Sequence, residues 1–267
     1  MGHQAGQGAT ERPQQPEREG TGPLPRLGRP VAPPPAGVPT GGVVLVLPDG
    51  AQASTRRPSP LARAAVAPFA RSLARAGARE GVQVHVVRYR YGGWNGRDAA
   101  LGADAAWAAS EVVRRYGDVP VCLAGFGMGG RAALRAAGHA AVNSALAVAP
   151  WLPEDDIAAP EEPVRQLVGR QVLIVHGTND RRTDPELSFR LAERAKKANR
   201  DTCRFEVHSD GHALRHHSRE VIALGKDFAL GALLSRPYAR PVEDALAAPP
   251  PLGLRMPLAA GFGKTLT

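Results

Sequence analysis

A cluster of glycines, Gly125-Phe126-Gly127-Met128-Gly129-Gly130, follows directly on the apolar run Val121-Cys122-Leu123-Ala124 and leads into a helix-forming segment. Glycines on both sides of residue 127 let a strand turn sharply into a helix where two backbones pack closely. Such a turn aims two things at a ligand: its central side chain, and backbone N–H groups at the start of the helix. Here the central residue is Gly127, so only the N–H groups remain. Three other short segments hold residues capable of chemistry, each just past an apolar run. They are Leu47-Pro48-Asp49-Gly50, Val175-His176-Gly177-Thr178-Asn179-Asp180 and His208-Ser209-Asp210-Gly211-His212.

The elements that must position these segments alternate in type. Val43–Leu47, Val82–Val87, Val119–Ala124, Ala145–Ala149, Val172–Val175 and Arg204–His208 read as strands. Most are near-continuous apolar runs, as expected for strands covered on both faces. Between them lie helical patterns. Val66, Phe69, Leu73 and Ala76 share one face of a helix closing at Gly77, with Pro68 either kinking it or lying near its start. Trp107, Val112 and Tyr116 mark a helix closing at Gly117, and another runs from about Met128 to Gly138. Thr183-Asp184-Pro185-Glu186 reads as a capping box, and Val221, Leu224, Phe228 and Ala232 stripe the last helix. Alternating β and α predicts a mostly parallel sheet with helices on both faces, and ligands beyond the carboxyl ends of its strands. Residues 1–41 are rich in Pro, Gly, Gln and Arg and are expected to be disordered. The domain is expected over 42–235, with a loose tail over 236–267.

With its motifs in this order, the chain resembles the α/β-hydrolase fold family, a serine hydrolase lineage of esterase and dienelactone-hydrolase type. The resemblance covers most of 42–235. It implies that residue 127 is the nucleophile position, Asp180 the triad acid and His212 the triad histidine. It also implies an oxyanion hole at Asp49, Gly50 and Met128. Four motifs, each past a strand's carboxyl end, carry the likeness together. The chain departs from the family's pattern at Gly127, where a serine, or occasionally Cys or Asp, is expected. Loss of a triad nucleophile costs about a millionfold in kcat, while an oxyanion hole and binding alone leave roughly 10³–10⁴ over water. If the remaining machinery is intact, Gly127→Ser should raise esterase activity.

Other residues compete for attention. Ser209 lies on the same loop as His212, Ser144 lies at the wrong end of its strand, and Cys122 is expected to be buried. Asp49 would oppose a developing negative charge; it could instead act as a base, or cap a turn, the reading that Pro-Asp-Gly favours. His208, His212 and His216 are four apart, a metal-ligand spacing on a helix, but Gly211 interrupts any helix there, and no metal is expected. Asp180 and His212 also fit an idle ion pair between loops. Trp94 and Trp151 either line a pocket or belong to the core. The acidic segment from Trp151 to Val168 stands where the family inserts its lid, so any lid is small or absent.

Composition narrows the partners. The chain has 267 residues, a formal charge of +9 and a pI of about 10.3. Arginines are scattered and aromatics are only 5%, leaving little to stack on bases. We expect no nucleic acid and no cofactor. No apolar stretch is long enough to span a bilayer and no apolar leader is evident, so a cytoplasmic location and no membrane are expected. The expected partner is a small-molecule acyl substrate or ligand; the oligomeric state is left open. Three readings of function follow: a hydrolase lineage crippled at Gly127, an enzyme without a nucleophile that uses the Asp180–His212 dyad as general base, or a non-catalytic binding or scaffold protein.

Overall fold

A computed structural model describes residues 23–154 and 161–264. Its eight strands form one sheet: β1 (Arg26–Leu27), β2 (Gly42–Leu47), β3 (Val82–Arg88), β4 (Val121–Phe126), β5 (Val142–Val148), β6 (Gln171–Gly177), β7 (Thr202–Val207) and β8 (Met256–Pro257). Their order is β1-β3-β2-β4-β5-β6-β7-β8. Every pairing is parallel except β1 with β3. The chain runs outward from β2 to β3, then crosses back to β4 on the other side. The carboxyl ends of β2 and β4 therefore diverge at a crevice, the place where open α/β sheets bind ligands.

Six helices cover the sheet: α1 (Pro60–Ala76), α2 (Ala100–Tyr116), α3 (Met128–Ala136), α4 (Pro185–Ala198), α5 (Ser218–Leu234) and α6 (Arg240–Ala247). Because side chains alternate along a strand, the core divides in two. Leu45, Leu123, Ala145 and Ile174 pack with α2, α3 and α4 on one face. Val44, Val46, Leu146, Leu173 and Phe205 pack with α1, α5 and α6 on the other. Burial on both faces explains why these strands read as unbroken apolar runs. Pro68 lies inside α1, with Pro60 in its first turn and Ser59 as cap. Asp184, and not Thr183, caps α4: its side chain accepts from Glu186 N–H, and the Thr183 hydroxyl turns elsewhere. Among the described residues no helix is long and apolar enough to cross a membrane.

Both expected tails need correction where they are described. Residues 1–22 lie outside the described region. Beyond them, β1 pairs with β3, Leu27 is buried, and the Val31 N–H donates to the Val84 carbonyl at 2.7 Å. The segment from Arg236 is not loose either. Val242 and Ala245 of α6 are fully buried, and β8 adds to the sheet beside β7. Besides its buried apolar side chains, two buried cations hold this segment in place. Arg204 donates to the Leu254 carbonyl at 3.0 Å and Lys196 to the Leu246 carbonyl at 2.6 Å, the latter at the carboxyl end of α6. Between β5 and β6 the described residues hold only a 3-10 turn at Arg165–Leu167, as expected for a small or absent lid.

Candidate functional site

The turn after β4 has the shape its glycines suggest. Gly127 has φ +55° and ψ −120°, a conformation that favours glycine. Its N–H donates to Val148 and its carbonyl accepts from Trp151 N–H at 3.0 Å. Gly125 and Gly129 are required by crowding: a Cβ on Gly125 would overlap the Gly129 carbonyl, and one on Gly129 the carbonyls of Leu47 and Pro48. So the first residues of α3 press against the loop after β2. Tyr89 holds that loop from beneath, its hydroxyl donating to the Pro48 carbonyl at 3.1 Å.

Into this crevice projects the carboxylate of Asp49. Its Oδ1 accepts from Gly50 N–H at 2.8 Å and from Met128 N–H at 2.8 Å. A Cβ on Gly127 would overlap the same carboxyl group. The space a nucleophile's side chain would use is thus filled by Asp49, delivered from a different strand. Its other oxygen, Oδ2, meets the Arg182 guanidinium at 3.0 Å and faces His212 Nε2 at 3.9 Å. Burial disfavours the charge on Asp49, but His212, the Met128 N–H and Arg182 outweigh it and hold the pKa below the usual carboxylate range.

Behind His212 stands Asp180. His212 Nδ1 lies 2.9 Å from Asp180 Oδ2. Asp180 also accepts from Arg182 N–H, Thr183 N–H and, at 2.6 Å, the Thr183 hydroxyl. The fully buried His176 approaches it at 3.2 Å and has Ser188 on its other ring nitrogen at 2.8 Å. Burial opposes ionisation of Asp180, yet His176, His212 and Thr183 together hold its pKa far below the usual range. Burial likewise opposes charge on His212; Asp180 and then Asp49 overcome it and push His212 up to about 9. Near neutral pH this is a carboxylate–imidazolium–carboxylate row.

Two cavities flank the row. One of 130 Å³ is lined by Trp151, Gln52 and Thr183. The other, of 790 Å³, opens between α1 and α5 and has mainly apolar walls, among them Val66, Phe69, Phe126, Val148 and Val221. A cavity of this size suits a drug-sized molecule.

The structure thus brings Asp49, Gly50, Gly127, Met128, Asp180 and His212 together. It leaves the competitors apart. Ser144 is buried near the start of β5. Ser209 is exposed in the β7–α5 loop. The Cys122 thiol is fully buried, and burial pushes it up to about 12. The histidines do not converge: His216 and His217 both turn to Asp210, and His212 turns to Asp180. Trp94 and Trp151 face the Arg131 guanidinium, at 4.0 and 5.2 Å from their ring centres. That guanidinium also pairs with the buried Glu162 at 2.7 Å, so the described part of the acidic segment is anchored by charge. Asp155 and Asp156 lie outside the described residues.

No family model matches the chain, and no curated protein matches it. Solved structures do. An esterase from Pyrococcus furiosus superposes with a TM-score of 0.57 at 13% identity, over 73% of this chain and 83% of its own. An α/β serine hydrolase without a lid, from Xanthomonas campestris, gives 0.51 at 18% identity over 79% and 95%. An α/β serine hydrolase homologue from Coxiella burnetii gives 0.52 at 15% identity over 81% and 98%. Identities this low establish likeness of fold, and the fold is that of the α/β hydrolases.

Proposed function

Taking the α/β-hydrolase fold as premise, we propose that this protein does not run serine-ester chemistry and instead receives a small, mainly apolar molecule in the cavity beside Asp49 and His212. One observation carries the reading: Asp49 Oδ1 already occupies the point where Gly50 N–H and Met128 N–H converge. An acyl-transfer intermediate needs those donors for its oxyanion, free and preorganised. Here they are satisfied by a carboxylate whose charge repels an incoming oxyanion. The nucleophile position, Gly127, has no side chain to form an acyl-enzyme.

The dyad-as-base reading is weaker on the same geometry. A general base must be unprotonated at working pH, and two carboxylates hold His212 as a cation up to about pH 9. Asp180 and His212 then act as a charged strut that fixes Asp49. What remains is a walled apolar space next to a fixed polar row, the usual composition of a ligand site.

The test pairs binding with turnover. The neutral dye N-phenyl-1-naphthylamine should brighten on mixing with the protein. It should stop doing so in Ala65→Trp, which fills the 790 Å³ cavity from an exposed position on α1. Short p-nitrophenyl esters should show no turnover, and a fluorophosphonate probe no labelling. Ester turnover that disappears in His212→Ala would overturn the proposal.

A further inference from the structure

Away from that crevice, a second groove of 440 Å³ lies between α1 and the N-terminal segment that borders β3. Its walls include Arg29, Arg63, Arg71 and Arg88, with Val31 and Ala67 between them, and no acidic residue lines it. Arg63, Ala67, Ala70 and Arg71 form one stripe of α1, as a helical repeat of 3.6 requires. The small alanines leave the room that the two flanking guanidiniums border. Arg88 enters from β3 and Arg29 from the segment after β1.

Three observations show that this cluster lacks its counter-charge. First, none of the four arginines has a carboxylate partner among the described residues, although Arg–carboxylate pairs are common elsewhere among those residues. Second, β1 and β3 pair in the register that sets Arg26 directly opposite Arg88. Directly opposed residues of an antiparallel pair share a face, and like charges there destabilise the pair. Third, Arg63 Nε is buried with no hydrogen-bond acceptor. Buried donors are nearly always satisfied.

We propose that this groove binds a small, multiply charged phosphate-bearing anion. A guanidinium presents paired N–H donors that match phosphate oxygens, and several arginines together favour a ligand with several charges. An anion here would give a counter-charge to the Arg63 guanidinium, whose Nε lacks an acceptor, and to Arg88, which stands opposite Arg26. No aromatic residue lines the groove, so nothing is offered for stacking bases, and nucleic acid is the poorer fit.

Calorimetry of the full chain with tripolyphosphate at low ionic strength tests this. One ion should bind per chain, more weakly as salt rises. Arg63→Gln and Arg88→Gln should each weaken binding about tenfold, the loss of one charge-assisted hydrogen bond. Arg97→Gln, an exposed site outside the groove with the same change in net charge, should leave affinity unchanged. Circular dichroism confirms that each variant folds. Absence of binding at low salt, or equal losses in all three variants, overturns the proposal. So does tighter binding of a single-stranded oligonucleotide of equal charge, which would assign the surface to nucleic acid. None of these outcomes depends on the Asp49 cavity.

Discussion

The carboxylate of Asp49 and the missing side chain of Gly127 occupy one and the same volume. Each excludes the other: a residue with a Cβ at 127 collides with Asp49, and Asp49 can reach the Met128 N–H only because 127 is glycine. The two positions are 78 residues apart in sequence, so the exchange is visible only in the folded chain.

Restoring the serine alone should therefore fail. Gly127→Ser is expected to give no esterase activity and to destabilise the fold by about 1–3 kcal/mol, from overpacking and a strained φ. The double variant Gly127→Ser with Asp49→Gly empties the N–H pair and should label with a fluorophosphonate. Urea melts and labelling of single and double variants decide the matter; labelling of the single variant would show that Asp49 swings away readily.

The His212 charge gives stability a defined pH dependence. Its pKa is raised on folding from 6.5 to about 9. Its contribution is thus complete below pH 6.5 and disappears as pH rises through 9. Asp180 is shifted the other way, so its contribution is present above its ordinary value of 3.8 and fades as pH falls below that. Histidine NMR titration should show His212 titrating near pH 9 in the native protein. Asp49→Asn should move it downward, because one of its two carboxylate partners is removed.

Both thiols should be silent in the native state. Cys122 and Cys203 are fully buried, and burial pushes each up to about 12. A chromogenic disulfide reagent at pH 8 should find no reactive thiol until denaturant is added, and two thereafter. Fast reaction of one thiol in native buffer would contradict this burial.

Glu162 pairs with Arg131 at 2.7 Å and with Arg135 at 2.6 Å while 3% exposed itself. Removing one partner of a buried pair leaves an uncompensated charge, at a cost of about 3–5 kcal/mol. Glu162→Ala should lower the urea midpoint accordingly. Glu161→Ala serves as control, its carboxylate being 64% exposed against Arg194.

Much of the framework is legible from local pattern. The six central strands fall where the apolar runs lie, within one to three residues at their ends, because each is buried on both faces. Gly77 and Gly117 do end their helices. The site residues converge as their places at strand ends suggest. What local pattern misses depends on distant partners. Arg182, Thr183 and His176 complete the row around Asp180, yet none stands out in sequence. Arg182 carries no motif, Thr183 reads as a cap and His176 as part of the segment after a strand. Asp49 reads as a turn former, and its Oδ1 does cap the Gly50 N–H; only the approach of α3 adds the Met128 N–H. The C-terminal segment reads as loose because the groups that anchor it, Arg204 and Lys196, belong to earlier elements.

That C-terminal return also settles how the sheet ends. Among the described residues each border is a two-residue strand, β1 on one side and β8 on the other. A stub this short offers a neighbouring chain almost no unpaired backbone, and Pro257 in β8 withdraws an N–H as well. Removing the chain after Arg236 would instead expose the whole edge of β7, with Phe205 and Val207 no longer covered from that side. The two ends of the domain thus act as guards against edge-to-edge aggregation, a property of solubility that owes nothing to the crevice. It makes the length of the expressed chain as consequential as any residue in it.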